Sequence, residues 1–122
     1  MNSTLKQSQT LNKRQIGTKY EQMAKEYLEA KGYLILCMNY RCKIGEIDII
    51  AQHENYFIFI EVKYRAKSSF GYPREAVNYK KQQKITYVAQ YFLRSQSHSY
   101  ANCRFDIIEI LDTTLTHIIA AF

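Results

Sequence analysis

The chain has 122 residues, of which 47% are hydrophobic and 14% aromatic, and no uninterrupted apolar segment approaches the length of a membrane-spanning helix. This composition excludes a disordered chain, and the length has room for one domain rather than two. Seventeen Lys and Arg against eleven Asp and Glu give a net charge of +6. That surplus favours a polyanionic partner such as nucleic acid or an anionic membrane surface.

The cysteines and the N-terminus bear on the cellular compartment. Cys37, Cys42 and Cys103 are odd in number and show no CxxC spacing, which argues against a disulfide framework and a structural zinc site. Residues 1–12 are polar and aperiodic, without the apolar core of an export signal. We therefore expect a cytoplasmic protein with a flexible N-terminal tail over 1–12 and a single domain over 13–122.

Apolar periodicity predicts two helices and five strands. Apolar residues at three- and four-residue steps indicate an amphipathic helix from Ile16 to a stop at Gly32, and a second helix beginning at Pro73 and ending near Arg94. Short runs rich in β-formers predict strands over 33–40, 47–51, 56–62, 104–111 and 116–121. The order α-β-β-β-α-β-β indicates an α/β fold in which a central mixed β-sheet is flanked by helices on both faces.

Two charged residues, Glu61 and Lys63, interrupt an otherwise apolar predicted strand. Because side chains alternate across a strand, both share a face with Phe57 and Phe59, and both faces are apolar enough to be buried. Ionised groups are seldom buried unless they are paired or bind a metal. The placement therefore favours a functional site over a solvated surface.

Asp48, on the preceding strand, extends this pair into a cluster. A hairpin with a four-residue loop at 52–55 puts Asp48 opposite Glu61, with the Cβ atoms roughly 4.5–5.5 Å apart. Two carboxylates this close disfavour ionisation of both unless a cation lies between them, and Mg²⁺ or Mn²⁺ suits oxygen ligands. Such an ion beside Lys63 suits phosphodiester hydrolysis. The alternative from spacing alone is a buried ion pair between Lys63 and one carboxylate.

The block 45–48 (Gly-Glu-Ile-Asp), followed after twelve residues by 61–63 (Glu-Val-Lys), resembles the PD-(D/E)xK signature of restriction-endonuclease-like nucleases. Ile47 stands where the name of the signature has proline. More closely, the chain resembles the YraN-like family of uncharacterised bacterial proteins, from about residue 16 to 122, through these blocks and others at 39–41, 70–73 and 104–106. The resemblance implies a restriction-endonuclease-like core, with Asp48 and Glu61 as metal ligands and Lys63 as a catalytic residue.

The chain is also similar to archaeal Holliday-junction resolvases, in which a glutamate on the first helix joins the metal site. The matching position is Glu21, so this resemblance implies a catalytic role for Glu21. Glu21 lies at the edge of the apolar stripe that includes Ala24 and Leu28. From there it can either face the sheet or be a solvated helix residue.

Most of the surplus positive charge directly follows the candidate site. Residues 62–84 hold seven basic residues and one acid, whereas the rest of the chain holds ten of each. As a group beside a metal site they predict phosphate contacts, although each one alone also fits a solvated helix face. The predicted nucleic-acid-binding residues are Arg65, Lys67, Arg74, Lys80, Lys81 and Lys84. A phosphodiester substrate is therefore favoured over a membrane surface.

Three functions are compatible with these features. The first is a Mg²⁺- or Mn²⁺-dependent nuclease acting on DNA, with branched or otherwise structured DNA as one candidate substrate and a homodimer as one candidate assembly. The second is a nucleic-acid-binding module of nuclease fold without useful turnover. The third is a protein-interaction subunit whose basic face binds an acidic partner.

Overall fold

The secondary structure follows the predicted order. The computed structural model describes residues 12–65, 77–98 and 101–122, and nearly all of the predicted tail lies outside them. The described residues form two helices and five strands, namely α1 (Lys13–Ala30), β1 (Leu34–Arg41), β2 (Glu46–His53), β3 (Tyr56–Arg65), α2 (Tyr79–Ser95), β4 (Asn102–Leu111) and β5 (Thr114–Ile118). Neither helix in this described part of the chain is long and apolar enough to cross a bilayer.

The five strands form one mixed sheet in the order β1-β2-β3-β4-β5. Strands β3 and β4 are parallel, and the other neighbouring pairs are antiparallel. A parallel pair needs a crossover connection, and α2 lies within it. One apolar cluster includes side chains of α1 and another includes those of α2, so each helix packs on the sheet with its own core. The predicted α/β fold, with a mixed sheet between helices, is confirmed.

Helix α1 begins at Lys13, before the predicted start at Ile16, because Asn12 caps it. The Asn12 side chain accepts a hydrogen bond from the backbone N–H of Gln15 (2.8 Å), and the Gln15 side chain accepts one from the backbone N–H of Asn12 (3.0 Å). The helix packs against the sheet through Ala24 and Leu28, which are fully buried. These contacts fix the side of α1 that faces the strands.

Helix α2 begins at Tyr79 rather than at Pro73, so that boundary prediction is wrong. Val77 and Asn78 are not helical, and the Asn78 side chain accepts a hydrogen bond from the backbone N–H of Lys81 (2.9 Å) as the N-cap. Pro73 itself lies outside the described residues. The helix buries one face in the core through Ile85, Val88, Ala89, Phe92 and Leu93.

Two of the three β-hairpins in the described residues, β2–β3 and β4–β5, are tighter than the sequence indicates. The predicted four-residue loop between β2 and β3 is a two-residue turn of Glu54 and Asn55, because His53 pairs with Tyr56. Glu54 has a φ of 56°, the left-handed conformation that suits short hairpin turns. Asp112 adopts the same conformation, with a φ of 54°, between β4 and β5. Strand β5 therefore begins earlier than predicted.

Strand β1 is irregular beside the candidate site. Its register on β2 shifts in its first half, and Asn39 has a φ of 53°. Ile49 packs in the α1 core, and strict alternation along β2 would put Ile47 on the same face of the sheet. In the structure, however, Ile47 and its β1 partner Tyr40 pack in the α2 core, so the alternation is broken between Ile47 and Ile49. The flanking pairs put Asn39 opposite Asp48. The irregular backbone of β1 at Asn39 therefore lies directly beside Asp48, a residue of the predicted site.

Candidate active site

Asp48 marks the point at which β2 and β3 separate. The backbone pairing of the two strands ends at Ile49 and Ile60. Beyond this pair, Oδ2 of Asp48 accepts a hydrogen bond from the backbone N–H of Val62 at 2.8 Å. The Asp48 side chain thus takes the place of a backbone carbonyl as the acceptor for the Val62 N–H. One position beyond the last backbone pair, Asp48 and Glu61 stand opposite each other.

Glu61 is buried and paired with a lysine of α2. By strand alternation it shares the face of Phe57 and Phe59, which pack in the α2 core, and it is only 5% exposed. Nζ of Lys81 lies 3.0 Å from Oε2 of Glu61. The ion pair offsets part of the desolvation cost of burying this carboxylate.

Burial and like-charge repulsion perturb the ionisation of the site. Burial, followed by the negative charge of Glu61, raises the pKa of Asp48 to about 7, although the Val62 hydrogen bond opposes this rise. Burial and the neighbouring Lys81 lower the pKa of Lys63. Burial also acts to lower the pKa of Lys81, but the attraction of Glu61 outweighs it and the pKa is raised. The two carboxylates and two ammonium groups therefore form one electrostatic unit.

Asp48, Glu61 and Lys81 border an open cleft of about 380 Å³ between the sheet and the start of α2, whereas Lys63 is not among the residues that line it. The cleft is lined by Gly45, Glu46, Asp48, Glu61, Asn78, Lys80, Lys81, Lys84 and Ile85. Glu46 is itself engaged by Arg41, whose Nε lies 2.6 Å from Oε2 of Glu46. The cleft therefore combines three strand carboxylates, one of which is paired with Arg41, with three lysines on the helix.

The first turn of α2 carries Lys80 and Lys81 and no acidic residue. Positive charge at a helix N-terminus opposes the helix dipole and costs about 0.3–1 kcal/mol per charge. The same end of a helix attracts anions through its dipole and its N–H groups. The two lysines are therefore poorly placed for helix stability and well placed to meet an anion at the cleft.

Glu21 is partly buried on α1 and lies near Asp48 without lining the same cleft. After burial and Glu61, the charge of Glu21 contributes to the raised pKa of Asp48. Glu21 borders a second cleft together with Arg14, Gly17, Thr18, Asn39, Arg41 and Glu46. It is thus neither fully solvated nor part of the cleft of Asp48 and Glu61.

The predicted phosphate contacts on α2 differ in their surroundings. Lys80 and Lys84 are exposed at the cleft, as phosphate contacts need to be. Lys81 lines the same cleft, but its ammonium group reaches inward to Glu61. Spacing did not reveal this role, because nothing in the sequence shows how closely the start of α2 approaches β3.

Arg65, at the end of β3, has an acidic neighbour. Its Nε lies 3.5 Å from Oε1 of Glu109, a buried residue of β4. In the parallel register Glu109 is the partner of Lys63, so the two residues lie side by side on one face. Lys67 and Arg74 lie outside the described residues.

A second charged cluster, which the sequence did not predict, surrounds the fully buried Asp106. Its carboxylate accepts hydrogen bonds from Nε and Nη2 of Arg104 (both 2.9 Å) and from the backbone N–H of Ala120 (3.0 Å), and it lies 2.7 Å from Nε2 of His117. Nδ1 of His117 lies 3.2 Å from the hydroxyl of Tyr27. The cluster therefore ties α1 to β4 and β5.

The Asp106 cluster extends to the start of β1. Nη2 of Arg104 donates a hydrogen bond to the hydroxyl of Tyr33 (2.9 Å), and the Tyr33 ring stacks on His53 with centroids 4.1 Å apart. Burial acts to raise the pKa of Asp106, but the hydrogen bonds from His117, Arg104 and the Ala120 backbone outweigh it and lower the pKa. Its buried polar side-chain atoms all have hydrogen-bond partners, and none of its residues lines the cleft of Asp48 and Glu61, so we interpret the cluster as structural.

Fold and site together define a single-sheet α/β protein with a buried cluster of carboxylates and lysines where β2 and β3 separate. The chain belongs to UPF0102, an uncharacterised protein family whose model matches residues 20–110. This confirms the resemblance to the YraN-like family.

Curated relatives agree with this assignment over most of their length. A UPF0102 protein of Caldanaerobacter subterraneus subsp. tengcongensis is 48% identical over 100 residues, which cover 82% of each chain. One from Caldicellulosiruptor saccharolyticus is 45% identical over 100 residues, covering 82% of this chain and 85% of the relative. One from Clostridioides difficile is 46% identical over 114 residues, covering 92% of this chain and all of the relative.

Proposed function

We propose that this protein is a metal-dependent nuclease that hydrolyses phosphodiester bonds of DNA. One observation carries the proposal: the carboxylates of Asp48 and Glu61 meet where two strands separate, beside Lys63, in a cleft that is lined by further lysines. A structural ion pair needs one carboxylate and one ammonium group. The second carboxylate raises the energy of the site unless a cation or substrate uses it.

The donor chemistry fits a hard divalent cation. Among the described residues, no three His, Cys, Asp or Glu side chains come together as a ready-made metal site. Mg²⁺, however, is commonly held by one or two carboxylates, with water and substrate phosphates as its other ligands. Repulsion from Glu61 contributes to the raised pKa of Asp48, and a bound cation would relieve that repulsion. We therefore assign Mg²⁺ or Mn²⁺ to Asp48 and Glu61, as a site that the substrate helps to complete.

A divalent ion held there would polarise a phosphate oxygen and make a bound water easier to deprotonate. The chain's own side chains do the rest of the work. Lys63, whose pKa is lowered by burial and by Lys81, orients the attacking water and stabilises negative charge on the phosphate. Lys80 and Lys84 hold the flanking phosphates at the exposed edge of the cleft.

The test is metal-dependent cleavage of a panel of DNA substrates. Duplex, single-stranded, flapped and four-way-junction DNA are incubated with Mg²⁺ or Mn²⁺, and with EDTA as the blank. We expect cleavage of at least one substrate by the parent protein, and its loss in Asp48→Asn and Glu61→Gln. Glu54→Gln is the matched control, because Glu54 is an exposed carboxylate in the β2–β3 turn. Absence of cleavage across the whole panel, with both metals, would overturn the proposal.

A second candidate function is a nucleic-acid-binding module without turnover, and the contact between Lys81 and Glu61 favours it. At 3.0 Å the ammonium group of Lys81 already neutralises the carboxylate that a metal would use. This alternative predicts salt-sensitive DNA binding that Mg²⁺ leaves unchanged and that Asp48→Asn leaves intact. Tighter DNA binding in Mg²⁺ than in EDTA, lost in Asp48→Asn, would exclude it.

A further inference from the structure

The outward face of α2 carries an unusual set of side chains. Tyr79, Tyr87 and Tyr91 are 72%, 51% and 48% exposed, and they lie opposite the face that packs in the core. Successive residues of an α-helix turn by roughly 100°, which puts all three tyrosines within an arc of about 120°. Lys80 falls within this arc and Lys84 lies at its edge. Large aromatic rings and lysines thus share one solvent-facing stripe.

The stripe begins at the candidate active site and leads away from it. Lys80 and Lys84 line the cleft that contains Asp48 and Glu61. Tyr79 and Tyr87 flank a separate groove of about 380 Å³, which is also lined by Gln82, Gln83, Thr86, Phe105 and Phe122. In this groove Phe105 and Phe122 stack on each other with centroids 5.2 Å apart. The cleft and the groove lie on opposite flanks of α2, so a polymer that crosses the outward face of the helix from the cleft meets the exposed tyrosines next.

We propose that this stripe, formed by Tyr79, Lys80, Lys84, Tyr87 and Tyr91, binds an unpaired DNA strand, with bases stacked on the tyrosines and phosphates held by the lysines. The inference rests on the proposed function, because it takes DNA as the substrate. Base–aromatic stacking needs an exposed ring face, and it is available only where bases are unpaired. The stripe would thus give the protein a preference for DNA with a single-stranded segment beside the cleavage point.

Charge favours this occupant over a second copy of the chain. Helix α2 contains Lys80, Lys81, Lys84 and Arg94 and no acidic residue. In a two-fold dimer through this face, the same positive helix would meet itself and like charges would be opposed. A polyanion with planar bases matches both the charge and the rings. An acidic protein partner would match the charge alone.

The experiment measures binding in EDTA, so it does not depend on cleavage. Fluorescence anisotropy follows a labelled 20-mer of thymidines, a duplex of the same length, and a 20-mer of abasic sugar-phosphate units. We expect Tyr87→Ala and Tyr91→Ala each to weaken thymidine 20-mer binding by about tenfold, while duplex and abasic binding change by less than about twofold. Tyr87→Phe, which keeps the ring, should bind like the parent. Tyr56→Ala is the matched control, since Tyr56 is an exposed tyrosine at the β2–β3 turn.

Three results would overturn the inference. The first is thymidine 20-mer binding that both alanine variants leave unchanged. The second is an equal loss for the abasic 20-mer, because the tyrosines would then act without the bases. The third is self-association of the parent, measured by sedimentation, that Tyr87→Ala abolishes. If base-dependent binding holds but no substrate is cleaved, the proposed nuclease activity fails, while the binding of an unpaired strand to the stripe stands. If cleavage occurs without base-dependent binding, the reverse applies.

Discussion

The Asp48 carboxylate accepts a hydrogen bond from the backbone N–H of Val62, the residue that follows Glu61 in the chain. This one bond draws the carboxylate of β2 towards the acidic residue of β3. The fold therefore uses a hydrogen bond to hold two like charges near each other, and burial of Asp48 strengthens their repulsion. Such an arrangement costs stability, and that cost can be measured.

Asp48→Asn keeps an oxygen that can accept from the Val62 N–H and removes the charge that repels Glu61. We expect the variant to be more stable than the parent at pH 8 in EDTA, by roughly 1–3 kcal/mol, and to be inactive in cleavage. Urea unfolding followed by circular dichroism measures the change. Asp48→Ala is the comparison, because it leaves the N–H unpaired and should be less stable than Asp48→Asn. A loss of stability in Asp48→Asn would contradict the repulsion described for this site.

Lys81→Met tests the ion pair with Glu61. Without Lys81 the buried carboxylate loses its partner, so we expect a loss of about 1–2 kcal/mol of stability in EDTA, below the range for fully buried pairs because Lys81 is half exposed. A divalent cation can then replace the ammonium group. We expect millimolar Mn²⁺ to restore thermal stability to Lys81→Met and to have a smaller effect on the parent.

Lys80→Met provides the control for this exchange, since Lys80 lines the same cleft from an exposed position. It should be as stable as the parent or more stable by up to about 1 kcal/mol, because it removes a positive charge from the N-terminus of α2, and Mn²⁺ should affect it no more than the parent. If Mn²⁺ stabilises Lys81→Met no more than Lys80→Met, then Glu61 is not a metal ligand.

The Asp106 cluster predicts a specific dependence of stability on pH. The folded state lowers the pKa of Asp106 below the ordinary carboxyl value of about 3.9, so its stabilising contribution is complete above that value. The contribution is lost as the pH falls below about 4 and through the lower folded pKa. Asp106→Asn should cost about 3 kcal/mol at pH 7, because Arg104 loses its carboxylate partner.

The pH series gives the decisive comparison for Asp106. The slope of unfolding free energy against pH below about pH 4 should be shallower in Asp106→Asn than in the parent. Asp112→Asn is the matched control, as Asp112 is an exposed aspartate at the β4–β5 turn. Equal acid slopes in the parent and in Asp106→Asn would show that the hydrogen bonds do not lower this pKa.

Lys84→Gln tests phosphate contact at the cleft edge. If Lys84 neutralises one phosphate, its removal weakens duplex binding and lowers the slope of log affinity against log salt by about 0.9. Anisotropy titrations at salt concentrations from about 50 to about 300 mM measure that slope. Lys31→Gln is the control, because Lys31 is exposed just beyond the far end of α1. An unchanged slope in Lys84→Gln would remove Lys84 from the interface.

Strand and helix types could be predicted because the apolar periods are clear, but their ends could not. Helix α1 starts at Lys13 because of the Asn12 cap, and α2 starts at Tyr79 because of the Asn78 cap. Asparagine is common in loops and turns as well as at caps, so its presence does not by itself fix a boundary. The turn at Glu54 was missed for a similar reason, since its left-handed backbone is unusual for a glutamate.

The candidate site was only partly accessible from the sequence. The approach of Asp48 to Glu61 follows from strand register, which is a local property of one hairpin. The contact of Lys81 with Glu61 depends on how a helix crosses the sheet, and the cluster of Asp106 and His117 depends on the pairing of β4 with β5. The spacing of these residues along the chain predicts neither of these two contacts.

The irregularities of β1 have a consequence for association between chains. A straight edge strand presents a row of unpaired N–H and C=O groups on which another strand can add. In the five-stranded sheet of the described residues, one edge is β1, interrupted by a register shift and by the left-handed Asn39, and the other is the short β5. Neither edge is a good template for continuing the sheet into a neighbouring molecule. The irregular backbone of β1 beside Asp48 thus also disfavours aggregation by pairing of edge strands between molecules.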